Sequence, residues 1–173
     1  MDFTLPQAYL TGLIVLLSGA AVVVARQILR VRRDEAALAK LEAQGRSGDQ
    51  TAADLYELGS VQLRKRLYNQ ATETLKLAAK LASGEPPEAQ AVIENALGFA
   101  LAAQNNYSAA IRHYRSALKA KPAYPVALNN LAYALETQQK ADEARATYEQ
   151  VLALDSANRT AQKRLKRLNN LAA

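Results

Sequence analysis

Ala91 to Tyr124 reads AVIENALGFALAAQNNYSAAIRHYRSALKAKPAY, and the small residues inside this stretch decide the fold. Gly98 and Ala110 stand twelve positions apart; Leu97 precedes the first, Tyr114 lies four after the second, and Ala117 three beyond that. The same scaffold recurs 39 residues earlier as Leu58, Gly59, Ala71, Leu75 and Ala78. It recurs again 34 residues later as Leu131, Ala132, Ala144, Tyr148 and Val151. A period near 34 residues marks a stack of helical hairpins, none of which can bury its apolar face without neighbours. Two antiparallel helices come closest where both carry small side chains at matching heights, because there the ridges of one settle into the grooves of the other. The expected fold is therefore all-α, a short solenoid of three repeats.

These residues resemble the tetratricopeptide repeat. The first repeat, AADLYELGSVQLRKRLYNQATETLKLAAKLASGE, spans 52–85 and carries Leu58, Gly59, Tyr68, Ala71, Leu75 and Ala78 at the family's signature places. The second, 91–124, matches best, adding Tyr107 and Pro122. The third, PVALNNLAYALETQQKADEARATYEQVLALDSAN, spans 125–158, with Ala132 in place of the glycine and Ser156 in place of the final proline. No repeat has the family's early tryptophan, and Pro86 to Gln90 reads as five inserted residues. The arrays together occupy 51–158. Beyond them, 159–173 carries Arg159, Lys163, Arg164, Lys166 and Arg167 with no acid, and Leu165, Leu168 and Leu171 at helical spacing. That is the pattern of a basic capping helix that closes the open end of a solenoid.

The amino terminus is of another kind. Phe3 to Ala25 is 23 residues without a charge. As a helix it would reach roughly 34 Å, enough for a hydrocarbon core of about 30 Å. Residues 3–25 are thus expected to be a transmembrane anchor. A cleaved signal peptide is the competing reading, with Ser18-Gly19-Ala20 as its cleavage site, but no Lys or Arg precedes the apolar run. Arg26, Arg30, Arg32 and Arg33 follow the run directly, and the preference of basic residues for the cytoplasmic side orients the anchor with its amino terminus outside or lumenal. Ala8 and Gly12, and Ala21 and Ala25, are small residues four apart on which two anchors would pack, giving weak homo-oligomers. Residues 26–50 then form a basic flank, a juxtamembrane helix over Asp34 to Gln44, and a joint at Gly45 to Asp49.

About 140 residues from Asp34 on suffice for one continuous core. The chain has no cysteine, which excludes disulfides and thiolate metal sites. Its one histidine, His113, reads as a surface residue, and a metal site built on it is not expected. The net charge of +6 has local explanations in the anchor flank and the capping helix, and no aromatic platform or recognition motif points to nucleic acid. An acidic partner or anionic lipid headgroups would account for a functional use of the basic end. No phosphate-cradling loop or nucleophile elbow is present, and Asp142 and Glu143 suit a helix start. No enzyme activity and no cofactor are expected.

The tetratricopeptide resemblance implies a groove lined by the first helix of each hairpin. Mapped onto this sequence, it holds Tyr56, Ser60 and Leu63, then Asn95 and Phe99, then Asn129, Tyr133 and Glu136, and finally Lys163 and Arg167 from the closing helix. Such a surface suits an extended peptide, with asparagines for its backbone and aromatics for its side chains. Chaperone-binding members clamp a carboxylate terminus with lysines and asparagines; Tyr56 and Ser60 stand at clamp places here, which speaks against that ligand. As a whole, from MDFTLPQAYLTGLIVLL through ARQILRVRR to the basic end, the chain resembles the membrane-anchored tetratricopeptide proteins of cyanobacteria and plastids that assist photosystem I assembly. The resemblance implies a thylakoid anchor, repeats on the stromal or cytoplasmic side, and photosystem I subunits or assembly intermediates as partners. A generic adapter such as a protein-import receptor, or a structural subunit of a secretion or cell-envelope complex, would use the same architecture.

Overall fold

The computed structural model describes residues 5–45 and 50–172, with side chains described for 9–33, 35, 36, 39 and 50–170. Among them all regular structure is helical, and the chain divides into two compact units that part between Lys40 and Leu41. α1 (Leu5–Gly45), most of which belongs to the first unit, carries one stretch long and apolar enough to cross a membrane, Tyr9–Arg33, with a mean hydropathy of 2.0. Its apolar side chains, from Leu10 to Val31, are exposed, as expected of a surface meant for lipid. Arg26, Arg30, Arg32 and Arg33 all lie on α1 and are exposed. Most of the Gly45 to Asp49 joint, and the side chains of Ala8 and Leu171, lie outside what is described.

The second unit is three hairpins and a closing helix. α2 (Ala52–Arg64) pairs with α3 (Tyr68–Leu81), α4 (Pro87–Ala103) with α5 (Tyr107–Ala120), and α6 (Pro125–Thr137) with α7 (Ala141–Leu154), while α8 (Arg159–Ala172) packs on α7. Each hairpin is built on the same interlock. Leu75, Tyr114 and Tyr148 are each at most 1% exposed; Leu75 and Tyr114 lie against Gly59 and Gly98 of the partner helix, and Ala132 holds the same place in the repeat of Tyr148. A Cβ added at Gly98 would stand 2.6 Å from Tyr114 Cε1 and 3.2 Å from the Ala110 carbonyl oxygen; one at Gly59 would stand 2.6 Å from Leu75 Cγ. The 2.6 Å separations are below real carbon contacts and the 3.2 Å one is tight, so both glycines answer to the bulk of the partner side chain.

The turn within each hairpin is also repeated. Leu67, Asn106 and Lys140 donate backbone hydrogen bonds to Gln62, Leu101 and Leu135, and the residues just before them bond to Leu63, Ala102 and Glu136. This paired closure puts the penultimate residue in the left-handed region, where glycine is usual. Arg66 (φ 60°), Asn105 (φ 61°) and Gln139 (φ 62°) occupy it instead. Amides join one repeat to the next. Gln104 Nε2 lies 2.7 Å from Thr72 Oγ1 and 3.2 Å from the Tyr68 carbonyl, and Gln138 Nε2 donates to Ser108 Oγ at 2.8 Å.

The five inserted residues Pro86 to Gln90 have a place in the fold: Pro87 starts α4, where its missing N–H costs nothing, and the insertion lengthens that helix to 17 residues against 13 in α2 and α6. One expectation needs correction. His113 is not a plain surface residue. Its side chain is 29% exposed, and Nδ1 lies 2.7 Å from Glu94 Oε2 of the neighbouring helix.

Gly98→Ala is expected to destabilise the repeat unit by about 1–3 kcal/mol, because a backbone carbonyl cannot yield, and Gly59→Ala by less, because only a leucine side chain must move. Gln139→Gly should stabilise by about 1 kcal/mol by relieving the left-handed backbone. Thermal melts of the three variants, followed by circular dichroism, check the order.

Candidate functional site

The sequence-derived groove residues lie on α2, α4, α6 and α8, spaced three and four apart on each helix. Phe99 and Tyr133 are 46% and 42% exposed, large apolar surface that the core does not claim. Tyr133 stands edge-on to Tyr107 with centroids 6.5 Å apart, and the Arg164 guanidinium lies 5.0 Å from its ring. Its orientation is therefore fixed from two sides.

Around the asparagines the groove is a polar lattice. Asn130 Nδ2 donates to Asn95 Oδ1 at 2.9 Å, tying α6 to α4. The Tyr124 hydroxyl is pushed above the ordinary tyrosine range chiefly by burial, with Tyr56 adding to the effect and Asn95 opposing it. Asn129 is half-buried and its Oδ1, shut away from water, meets no donor. At the α2 end, Tyr56, Ser60 and Leu63 are half-buried, and Tyr56 and Leu63 pack on the core. Tyr56 also lines a hollow of about 340 Å³ with Ala53, Ala89 and Val92, rimmed by Glu85 and Glu88. α4 supplies three of those residues, Glu88 and Ala89 from its extra turn and Val92 from the turn after it.

Glu136 has a role that the periodicity did not disclose. Its side chain is 7% exposed. The carboxylate accepts from Tyr148 Oη at 3.1 Å, from Arg164 Nη1 at 3.4 Å, and from Arg167 Nη2. One carboxylate thus fastens α6, α7 and α8. It is an internal tie, and Arg167 is half committed to it while Lys163 is exposed and faces a basic hollow along α8.

Sequence reasoning missed Val92 and Val126, one helical turn ahead of Asn95 and Asn129 on the same face; Val126 is 53% exposed. The three-residue step back from each asparagine would have found them. Arg164 and Asn130 were also missed, and nothing in the spacing marks them, because their partners come from other repeats.

Burial pushes the Tyr148 hydroxyl up, and the adjacent Glu136 carboxylate pushes it further; burial is also the chief cause at Tyr114. Their ordinary value is 10.0, so the neutral phenols contribute stability in full below about pH 10 and lose it as pH rises through the raised values. Tyr114→Phe is expected to flatten the alkaline fall in melting temperature. Glu136→Ala should cost roughly 1–3 kcal/mol by leaving the buried Tyr148 hydroxyl without its acceptor. Hydrogen exchange should quicken over α8 and stay unchanged over α2.

Comparison with known proteins places this geometry. The family model for the tetratricopeptide repeat matches residues 101–168. The chloroplastic tetratricopeptide repeat domain-containing protein PYG7 of Arabidopsis thaliana is 32% identical over 163 residues, covering 94% of this chain and 54% of that protein. The chain thus spans about half the length of that relative. The ycf37 protein of Guillardia theta, described as uncharacterized, is 30% identical over 168 residues, covering 97% of this chain and 94% of that one. Among solved structures MamA superposes with a TM-score of 0.71 at 19% identity, over 78% of this chain and 76% of that one, a likeness of fold alone.

Proposed function

The chain belongs to the ycf37 family of tetratricopeptide repeat proteins, and from that premise we propose that it is a membrane-tethered scaffold whose groove holds a protein partner during assembly or stabilisation of photosystem I. A tetratricopeptide array mediates protein–protein interaction; the finer assignment of client and membrane is our reading. The observation that carries it is the pairing of one apolar helix with a groove that leaves Phe99, Val126 and Tyr133 exposed among ordered amides. Apolar surface kept in water beside a fixed polar lattice costs stability unless a partner covers it. The chloroplastic relative supports the thylakoid as the membrane, and the basic residues after the apolar run support a stromal or cytoplasmic repeat domain. Tethering confines the search to partners at the same membrane, so a weak groove gains from a raised effective concentration. Nothing in this role calls for chemistry. The proposed domain limits remain an anchor over 3–25 and repeats over 51–158.

Replacing Phe99 and Tyr133 by alanine is expected to weaken partner capture from solubilised thylakoids about tenfold or more, with helix content retained. Deleting the protein in a photosynthetic host should lower accumulated photosystem I and spare photosystem II, and the protein should co-migrate with photosystem I intermediates on native gels. Unchanged photosystem I, with co-migration elsewhere, would return the chain to the general class of adapters.

A further inference from the structure

We infer that the α8 end of the groove receives a carboxylate-rich segment of the protein partner, and that the segment lies in one direction only, acidic end toward α8 and apolar end toward α4. This rests on the groove reading above. Arg159, Lys163, Arg164, Lys166 and Arg167 line a hollow of about 700 Å³ along α8, and no carboxylate is among its lining residues. Glu136, from α6, offsets one of these five charges by holding Arg164 and Arg167, and its side chain is covered. Arg159, Lys163 and Lys166 have no ion pair among the described residues. Four charges therefore gather unneutralised around a concavity, a potential that concentrates anions within a Debye length of about 8 Å.

Two features select a peptide over a lipid headgroup. Arg164, one of the residues lining the basic hollow, lies against the ring of Tyr133, which with Val126 on α6 and Phe99 on α4 makes up the exposed apolar stripe. A headgroup would meet the cations and leave the stripe in water; an acidic segment followed by apolar side chains meets both. The opposite end sets the direction. Its hollow is walled by Tyr56, Ala89 and Val92 and rimmed by Glu85 and Glu88, which repel the carboxylates that α8 attracts. Like charges juxtaposed suppress the reversed register as effectively as opposite charges favour the right one.

The test uses the full chain in phosphatidylcholine nanodiscs and a fluorescein-labelled peptide with an apolar half containing Phe and Leu and an acidic half of Glu, read by anisotropy. The wild type should bind it, more weakly as salt rises. K163E/K166E should lower affinity by about tenfold, since both lysines are exposed and their loss leaves the fold intact. The same peptide with Lys for Glu should not bind. Unchanged binding by K163E/K166E at full helix content, or equal binding of the Lys peptide, would overturn the inference. Loss of peptide binding when phosphatidylglycerol is added to the nanodisc would assign the cations to the bilayer and overturn it too. In each case F99A/Y133A separates the two readings: if that variant still loses the native partner, the groove stands and only its polarity falls.

Discussion

Everything in the repeat unit depends on large side chains seated against small residues at the crossing of each hairpin. Tyr114 against Gly98 and Leu75 against Gly59 leave no room for even one added carbon. In the third hairpin Tyr148 and Ala132 hold the corresponding places, and both residues are wholly buried. Because that seat fixes how close the two helices of a hairpin lie, it fixes where the next hairpin can dock. The spacing of α2, α4 and α6, and hence the groove between them, follows from a contact on the far side of those helices. A buried tyrosine also brings a hydroxyl that needs a partner. At Tyr148 that partner is Glu136, which draws α8 into the same network.

The two ends of the groove are held by different physics. At the α2 end the walls are apolar, packed on Ala52, Leu55 and Ile93, and the helix start is fixed by a capping box in which Thr51 and Asp54 satisfy each other's backbone N–H groups. At the α8 end the tie is a covered carboxylate between two arginines. Desolvating such a group is unfavourable unless its oxygens are fully met, and here two guanidinium groups and a phenol meet them. A tie of that kind locates a helix more sharply than a handful of methyl contacts. α8, whose buried anchors are Ala161 and Leu168, has few of those to offer.

What was legible in the sequence was what repeats. The Gly-to-Ala spacing gave the hairpins, and helical register gave the face on which Phe99 and Tyr133 emerge. Events that happen once were not legible. That the five inserted residues lengthen α4 was hidden because Pro86-Pro87 reads as a break until Pro87 is seen at a helix start. Glu136 looked like a groove residue because periodicity places a side chain on a face but says nothing about which charges another helix will bring to it. His113 looked solvated because Glu94 is 19 residues away, on the helix opposite. Arg66, Asn105 and Gln139 hid their left-handed turns by not being glycine.

The amides at Gln104 and Gln138 bear on the lifetime of the protein. Each reaches from the end of one hairpin into the hairpin before it, so neighbouring repeats share polar contacts as well as apolar surface. In a stack of only three, no repeat has enough neighbours to survive the loss of one, and shared hydrogen bonds sharpen that dependence. Short of fraying at a terminal helix such as α8, loss of one junction leaves the repeats on either side without the neighbours they need. Opening at any junction would offer proteases the entire domain, so cellular abundance follows the weakest junction, and a scaffold that lost its place in the stack would be cleared as one piece.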